Sequence, residues 1–159
     1  MKRLFYLLAA AAFTACGSAT TLSVMTFNMR YDNPEDGADN WRFRRGRVAE
    51  VIASHGVDVF GTQELLANQL GDLKRLLPGY AAVGVGREDG AEAGEFSAVF
   101  YRRDRFTPLE SGTFWLSETP DVAGSKGWDG ACERVATWSY CMTGKGAGSS
   151  SSSTPTSTM

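Results

Sequence analysis

Histidine is nearly absent: His55 is the only one in 159 residues. It has no motif around it and falls at the end of an expected helix, so it reads as a structural or solvent-facing residue. A mechanism that needs a positioned histidine has nothing here to run on. An excess of charge of either sign is also missing. Lys and Arg number 16 against 18 Asp and Glu, for a net charge of -2. That balance gives no electrostatic case for tight, non-specific nucleic-acid binding, although it leaves room for a small basic cleft. Cysteine is sparse, with Cys16, Cys132 and Cys141 only. Cys132 and Cys141 could pair in an oxidising compartment, but they are read as two unpaired thiols. No internal repeat is present. What remains, 43% hydrophobic and 21% charged, suits one ordinary globular domain.

The two ends are read apart from the fold. Residues 1–19 begin Met-Lys-Arg, continue with an apolar stretch at 4–13 and finish in small residues. That is the pattern of a secretory signal, and its apolar part is too short to span a bilayer comfortably. Phe13-Thr14-Ala15-Cys16 resembles a bacterial lipobox, which would make Cys16 the lipidated first residue of the mature chain. The alternative is plain cleavage after Ala19. The expected location is therefore secreted, or anchored by lipid on the cell-surface or periplasmic side of a membrane.

Between the ends, hydrophobic spacing predicts alternating elements. Residues 22–28 read as a buried strand, and 32–40, with Pro34 and Gly37, as a loop. Asn40 can cap a helix starting near Trp41, with Val48, Val51 and Ile52 on one face and Gly56 at its end. Residues 57–62 form a short apolar strand. Leu66, Leu70, Leu73 and Leu77 then repeat at helical spacing until Pro78-Gly79 stops them. Strand-like segments follow at 80–85, 96–101 and 113–116. This order predicts a mixed α/β (α+β) domain of layered sheets.

If the first two strands are neighbours in one sheet, Asn28 and Glu64 emerge at the same edge. A carboxylate beside an amide at strand ends suits a hard cation and a phosphate oxygen. Taken singly, Glu64 also fits the start of a helix and Asn28 a turn. Arg42, Arg44, Arg45 and Arg47 read as a solvated helix face, and could also guide phosphates at a cleft rim. Trp115 and Trp128 read as packing residues rather than substrate platforms. Gly84-Val85-Gly86 lacks the strand–turn–helix setting of a dinucleotide site.

Taken together, the segments are more specific. They are Thr26-Phe27-Asn28-Met29-Arg30, Trp41 with Arg44 and Arg45, and Val57 through Glu64. Gly84 through Gly90, Gly94-Glu95-Phe96-Ser97, Gly112 through Pro120, and Gly127-Trp128-Asp129 to Trp138 follow in order. Over residues 22–138 this resembles the N-terminal half of the endonuclease/exonuclease/phosphatase family, in its secreted bacterial branch. The resemblance implies two packed mixed β-sheets flanked by helices, of which residues 22–140 would supply about half. It implies metal-dependent hydrolysis of a phosphate ester, with Mg²⁺ or Mn²⁺. Glu64 matches the family's metal-binding glutamate, and Asn28 the asparagine near metal and scissile phosphate. Glu95 matches an acidic residue that supports the catalytic histidine in some members, and Arg134 a residue facing the phosphate. The substrate, small molecule or nucleic acid, stays open, and no protein partner is expected.

The family's later histidine and aspartate motifs are not found in the sequence. Residues 141–159, with their run from Ser149 to Ser153, resemble a low-complexity linker. They also resemble an out-of-frame reading, since suitable serine codons shifted by one base give an apolar strand followed by Asn-Thr-His-Phe-Asp-His. On that expectation the domain is truncated, inactive as written, and poorly stable because strand edges and apolar faces lie open. The alternative expectation is a non-catalytic surface lipoprotein or binding module.

Overall fold

The computed structural model describes residues 21–144. The expected leader, Cys16 and most of the expected tail lie outside the described residues.

β1 (Val24–Asn28) runs parallel to β2 (Val59–Gln63), with α1 (Trp41–Ser54) as the crossover between them. After α2 (Ala67–Leu76), β3 (Tyr80–Val83) and β4 (Val99–Arg102) complete an antiparallel half, giving a four-stranded sheet in the order β1-β2-β4-β3. β5 (Phe106–Trp115) and β6 (Val135–Thr143) form a separate antiparallel pair. Two sheets with helices are the architecture expected from the sequence.

The core lies between the first sheet and the two helices. Phe60 stacks on Phe100 with ring centroids 4.5 Å apart, and Tyr80 meets Phe60 edge-on at 5.4 Å. Ile52, Leu65, Leu73 and Trp41 close around them, all buried. Asp72 locks α1 to α2 by accepting from Trp41 Nε1 at 2.9 Å while pairing with Arg45 and Arg75.

Local chemistry explains the element ends. The Asn40 side chain accepts from the Arg42 N–H at 3.2 Å and caps α1, as its position predicts. Gly56, at φ 56°, supplies the left-handed turn that ends the helix. α2 begins differently, because Leu66 carries no capping oxygen. Gln69 reaches back instead, its Oε1 accepting the Leu66 N–H at 2.9 Å.

Several boundaries differ from the sequence reading. The expected loop at 32–40 contains a short 3-10 helix, Pro34–Asp39. The strand expected at 80–85 stops at Val83, where Gly84 turns the chain with φ 134°. Phe96 makes only isolated bridges, to Leu65 and Gly86, so β4 starts at Val99. β5 starts at Phe106 rather than 113. Pro108 and Gly112 conceal its first half, and a register shift between Pro108 and Glu110 accommodates the proline. β6 has no counterpart among the strands expected from the sequence, and it runs past Tyr140 through Cys141 to Thr143. Cys132 and Cys141 are free thiols.

Candidate active-site cleft

The parallel pair does bring Asn28 and Glu64 together. In the β1–β2 register Asn28 faces Gln63, so Glu64 is the first residue beyond the shared strand end. Asn28 Oδ1 accepts from the Arg30 N–H at 2.8 Å, which fixes the amide plane. Its Nδ2 then donates to Glu64 Oε1 at 2.9 Å. Glu64 itself has a φ of 54°, in the left-handed region. A non-glycine residue there costs on the order of 1–3 kcal/mol and is held only by surrounding contacts, a feature concentrated at functional sites. Arg30, after β1, shares this conformation with a φ of 54°. Arg44 braces that turn, its guanidinium donating to the carbonyls of Met29 and Arg30, both at 2.5 Å, and to that of Asp39 at 2.9 Å. Arg44 is thereby committed to the backbone, and Arg45 to Asp72, so neither is a free phosphate guide.

Asn28 and Glu64 open into a cleft of about 290 Å³ lined also by Gln63, Arg87, Glu95, Ser97, Glu133 and Arg134. All four site residues expected from residues 22–138 therefore converge. Arg87 was missed as a site residue. It pairs with Glu95 at 2.8 Å, its N–H donates to the Glu95 carbonyl, and its own carbonyl accepts from the buried Trp115 Nε1 at 2.6 Å. The loop between Arg87 and Glu95 folds back on itself through Gly86 and Gly94, and only that fold makes the pair visible. A Cβ on Gly86 would sit 2.2 Å from the Ala93 carbonyl oxygen. Trp115 packs inward as expected. Trp128 does not: it is 74% exposed, with φ 52°.

The charges of the cleft sort themselves. Glu95 is neutralised by Arg87, and Glu133 lies 3.9 Å from Lys126. Among the described residues, Glu64 and Arg134 are the cleft's two charged side chains without an ion-pair partner. An unpaired anion and an unpaired cation thus line one oxygen-rich cavity. Among the described residues no cluster of three or more His, Cys, Asp or Glu is built to hold a metal. A single carboxylate with amide and hydroxyl oxygens fits a hard, well-hydrated divalent cation and not a softer ion. His55 is remote in role: its Nδ1 lies 2.8 Å from the Val51 carbonyl oxygen at the end of α1.

Two β-sheets with helices, and a carboxylate–amide pair at the shared end of two parallel strands, define a mixed α/β domain with a polar cleft at a strand edge. The chain belongs to the endonuclease/exonuclease/phosphatase family, which its sequence matches over residues 25–157. A solved family member from Bacteroides vulgatus is 50% identical, with a TM-score of 0.74 over 74% of this chain and 45% of that one. One from Bacteroides thetaiotaomicron is 48% identical, with a TM-score of 0.76 over 78% and 46%. The mannosyl-6-phosphatase of Bacteroides thetaiotaomicron is 47% identical, with a TM-score of 0.75 over 77% and 46%. The chain spans less than half the length of these solved relatives. No curated protein sequence matches it. Family members generally use divalent metals.

Proposed function

We propose that this cleft is the metal- and phosphate-binding part of a phosphoesterase. The observation that carries the reading is the pair of uncompensated charges, Glu64 and Arg134, in one cavity. Glu64, oriented by Asn28, is the ligand for Mg²⁺ or Mn²⁺. Such an ion supplies stabilisation of charge on phosphoryl oxygens. Arg134 binds the phosphate, its planar guanidinium matching two of the oxygens. Glu95, held by Arg87, keeps a second carboxylate at fixed orientation in the cleft without adding net charge. One free cation matches one phosphate, and the chain's net charge of -2 offers no track for a polyanion, so the substrate is a small phosphate ester. The likeness to a mannosyl-6-phosphatase points the same way. Turnover is proposed for the whole protein to which this cleft belongs, exported and anchored through Cys16.

A second reading is favoured by one observation: the sole histidine is spent at the end of α1. On that reading the chain binds metal and phosphate but does not hydrolyse. Both readings are tested by titrating the full chain with Mn²⁺ and with inorganic phosphate, alongside a phosphate-release assay. Glu64→Ala is expected to abolish Mn²⁺ binding, and Arg134→Ala to weaken phosphate binding by about 10- to 100-fold. Unchanged affinities in both variants would remove the cleft from consideration. Because turnover is proposed for the whole protein, binding without release by that whole protein selects the second reading.

A further inference from the structure

Among the described residues, two buried side-chain polar atoms lack a hydrogen-bond partner, Asp58 Oδ1 and Arg87 Nε. Buried polar atoms are paired as a rule, so each exception asks for a cause. Asp58 Oδ1 faces the Arg102 guanidinium at 3.8 Å, just before β2 and away from the strand end that carries Glu64. Arg87 Nε belongs to a residue that lines the cleft.

The way Arg87 is held narrows the cause. Its backbone is fixed on both sides: the N–H donates to the Glu95 carbonyl at 3.2 Å, and the carbonyl accepts from Trp115 Nε1 at 2.6 Å. Its head is held at one point, Nη1 donating to Glu95 Oε2 at 2.8 Å. Two other arginines of this chain pair differently. Arg30 grips Asp36 through Nε and Nη2 together, and Arg102 grips Asp104 through the same two atoms. That two-pronged edge is the stronger way for a guanidinium to meet a carboxylate. Arg87 leaves it unused although a carboxylate is beside it. A pair built for stability alone has no reason to do so.

We infer that Arg87 is a second phosphate-binding residue, and that Glu95 is the counter-ion holding it ready until the anion arrives. The inference rests on the phosphate-binding reading of the cleft. The Nε–Nη2 edge matches two oxygens of one phosphate. Arg87 and Arg134 line the same cleft, which at about 290 Å³ is at the small end for ligand pockets, so an anion seated on one is within reach of the other. Turning the unused edge to the anion takes a rotation of the side-chain head alone, against a single bond to Glu95. The backbone that places Arg87 stays as it is.

The test titrates the full chain, with Mn²⁺ present, with inorganic phosphate by calorimetry. Arg87→Gln is expected to weaken phosphate about tenfold. That loss alone has two causes, because a Glu95 stripped of its counter-ion also repels an anion. The double variant Arg87→Gln/Glu95→Gln separates them, since it removes the pair without changing net charge. It is expected to stay about tenfold weaker than wild type. Glu95→Gln alone is expected to bind phosphate more tightly, its Arg87 being free of a competing carboxylate. Arg87→Lys keeps the charge and loses the fork, so it is expected to recover only part of the affinity, with a melting temperature close to that of wild type. A double variant that binds phosphate as wild type does overturns the inference and leaves Arg87 a counter-ion to Glu95. Weaker phosphate binding in Glu95→Gln overturns it as well. If phosphate binding depends on Arg134 while the double variant is indifferent, the inference alone falls. If wild type does not bind phosphate, the phosphate-binding reading falls and takes it along.

Discussion

Asn28 donates from its amide to Glu64 Oε1 at 2.9 Å across the ends of two parallel strands, while its own oxygen is pinned by the Arg30 N–H. The amide thus has one permitted orientation, with its NH₂ toward the carboxylate. Partners that orient a ligand in this way commonly account for about 10- to 100-fold in metal affinity. Asn28→Ala is expected to weaken Mn²⁺ binding by about that factor, without a change in melting temperature of more than a few degrees, since Asn28 is exposed. Asn28→Asp replaces the donor with a second carboxylate beside Glu64. At low ionic strength its Mn²⁺ affinity should respond to salt more steeply than that of wild type. Calorimetric titration of the three proteins at two salt concentrations checks this; identical affinities would mean that Asn28 does not orient the metal ligand.

Asp58 is a buried carboxylate at the start of β2. It accepts the Ser23 N–H at 2.9 Å, pairs closely with Arg105, and lies 3.8 Å from Arg102. The Ser23 bond first, then Arg105 and Arg102, hold its carboxyl below the usual range against the opposing effect of burial. Because the folded value is depressed, its stabilisation is complete above the unfolded value of about 4 and is lost as pH falls toward the folded one. Asp58→Asn is expected to cost about 1.5–3 kcal/mol at pH 7, since it removes the charge that the half-buried Arg105 and Arg102 face. The gap between variant and wild type should start to narrow below pH about 4 and go on narrowing toward the lower folded value. Urea melts at pH 7 and pH 3 measure both. A gap independent of pH would assign the loss to packing instead.

Gln69 is a fully buried amide on α2 that no pattern of apolar spacing marks. Its Oε1 accepts from the Leu66 and Asp32 N–H groups at 2.9 and 3.2 Å, and its Nε2 donates to the Arg30 carbonyl at 3.0 Å. It therefore ties the start of α2 to the turn that follows Asn28. Gln69→Leu keeps the volume but strands three backbone groups, each costing about 1–3 kcal/mol when water cannot reach it. A loss of at least about 2 kcal/mol in a urea melt is expected, together with faster amide exchange at Asp32 and Leu66. Wild-type exchange at those two amides would show that water substitutes for the side chain.

How much of this was legible depends on whether the signal is local. Asn40 before Trp41, and the leucines at positions 66, 70, 73 and 77, are local signals, and α1 and α2 lie where they predict. The meeting of Asn28 and Glu64 was also legible, because strand, helix and strand in succession imply a parallel pair with both ends on one side. Arg44 was not legible as a brace. Its partners are carbonyls 14 and 15 residues away, and carbonyls carry no sequence identity. β5 was half hidden because Pro108 and Gly112 are breakers by propensity, yet pairing along β6 outweighs them. Trp128 was misread because a large apolar side chain is normally buried, and its exposure follows from contacts between Gly127 and Ser117 that spacing does not reveal.

The same reasoning singles out Gly86, which sits where two segments of the cleft wall cross. Its φ is not in the left-handed region, so its need is steric: an added Cβ would lie 2.2 Å from the Ala93 carbonyl oxygen and 2.8 Å from its nitrogen. Both are backbone atoms and cannot swing aside, so Gly86→Ala must push the strands of the loop apart. The Arg87–Glu95 pair, one residue beyond, would separate, while β1, β2 and the Asn28–Glu64 bond lie outside the disturbed segment. Overpacking of this kind costs about 1–3 kcal/mol. The expected outcome is a modest drop in melting temperature with Mn²⁺ affinity preserved. Phosphate affinity should also hold if Arg134 alone carries it. Should phosphate binding fall with Gly86→Ala as far as with Arg134→Ala, Arg87 shares the anion, and Glu95 is its counter-ion only until substrate arrives.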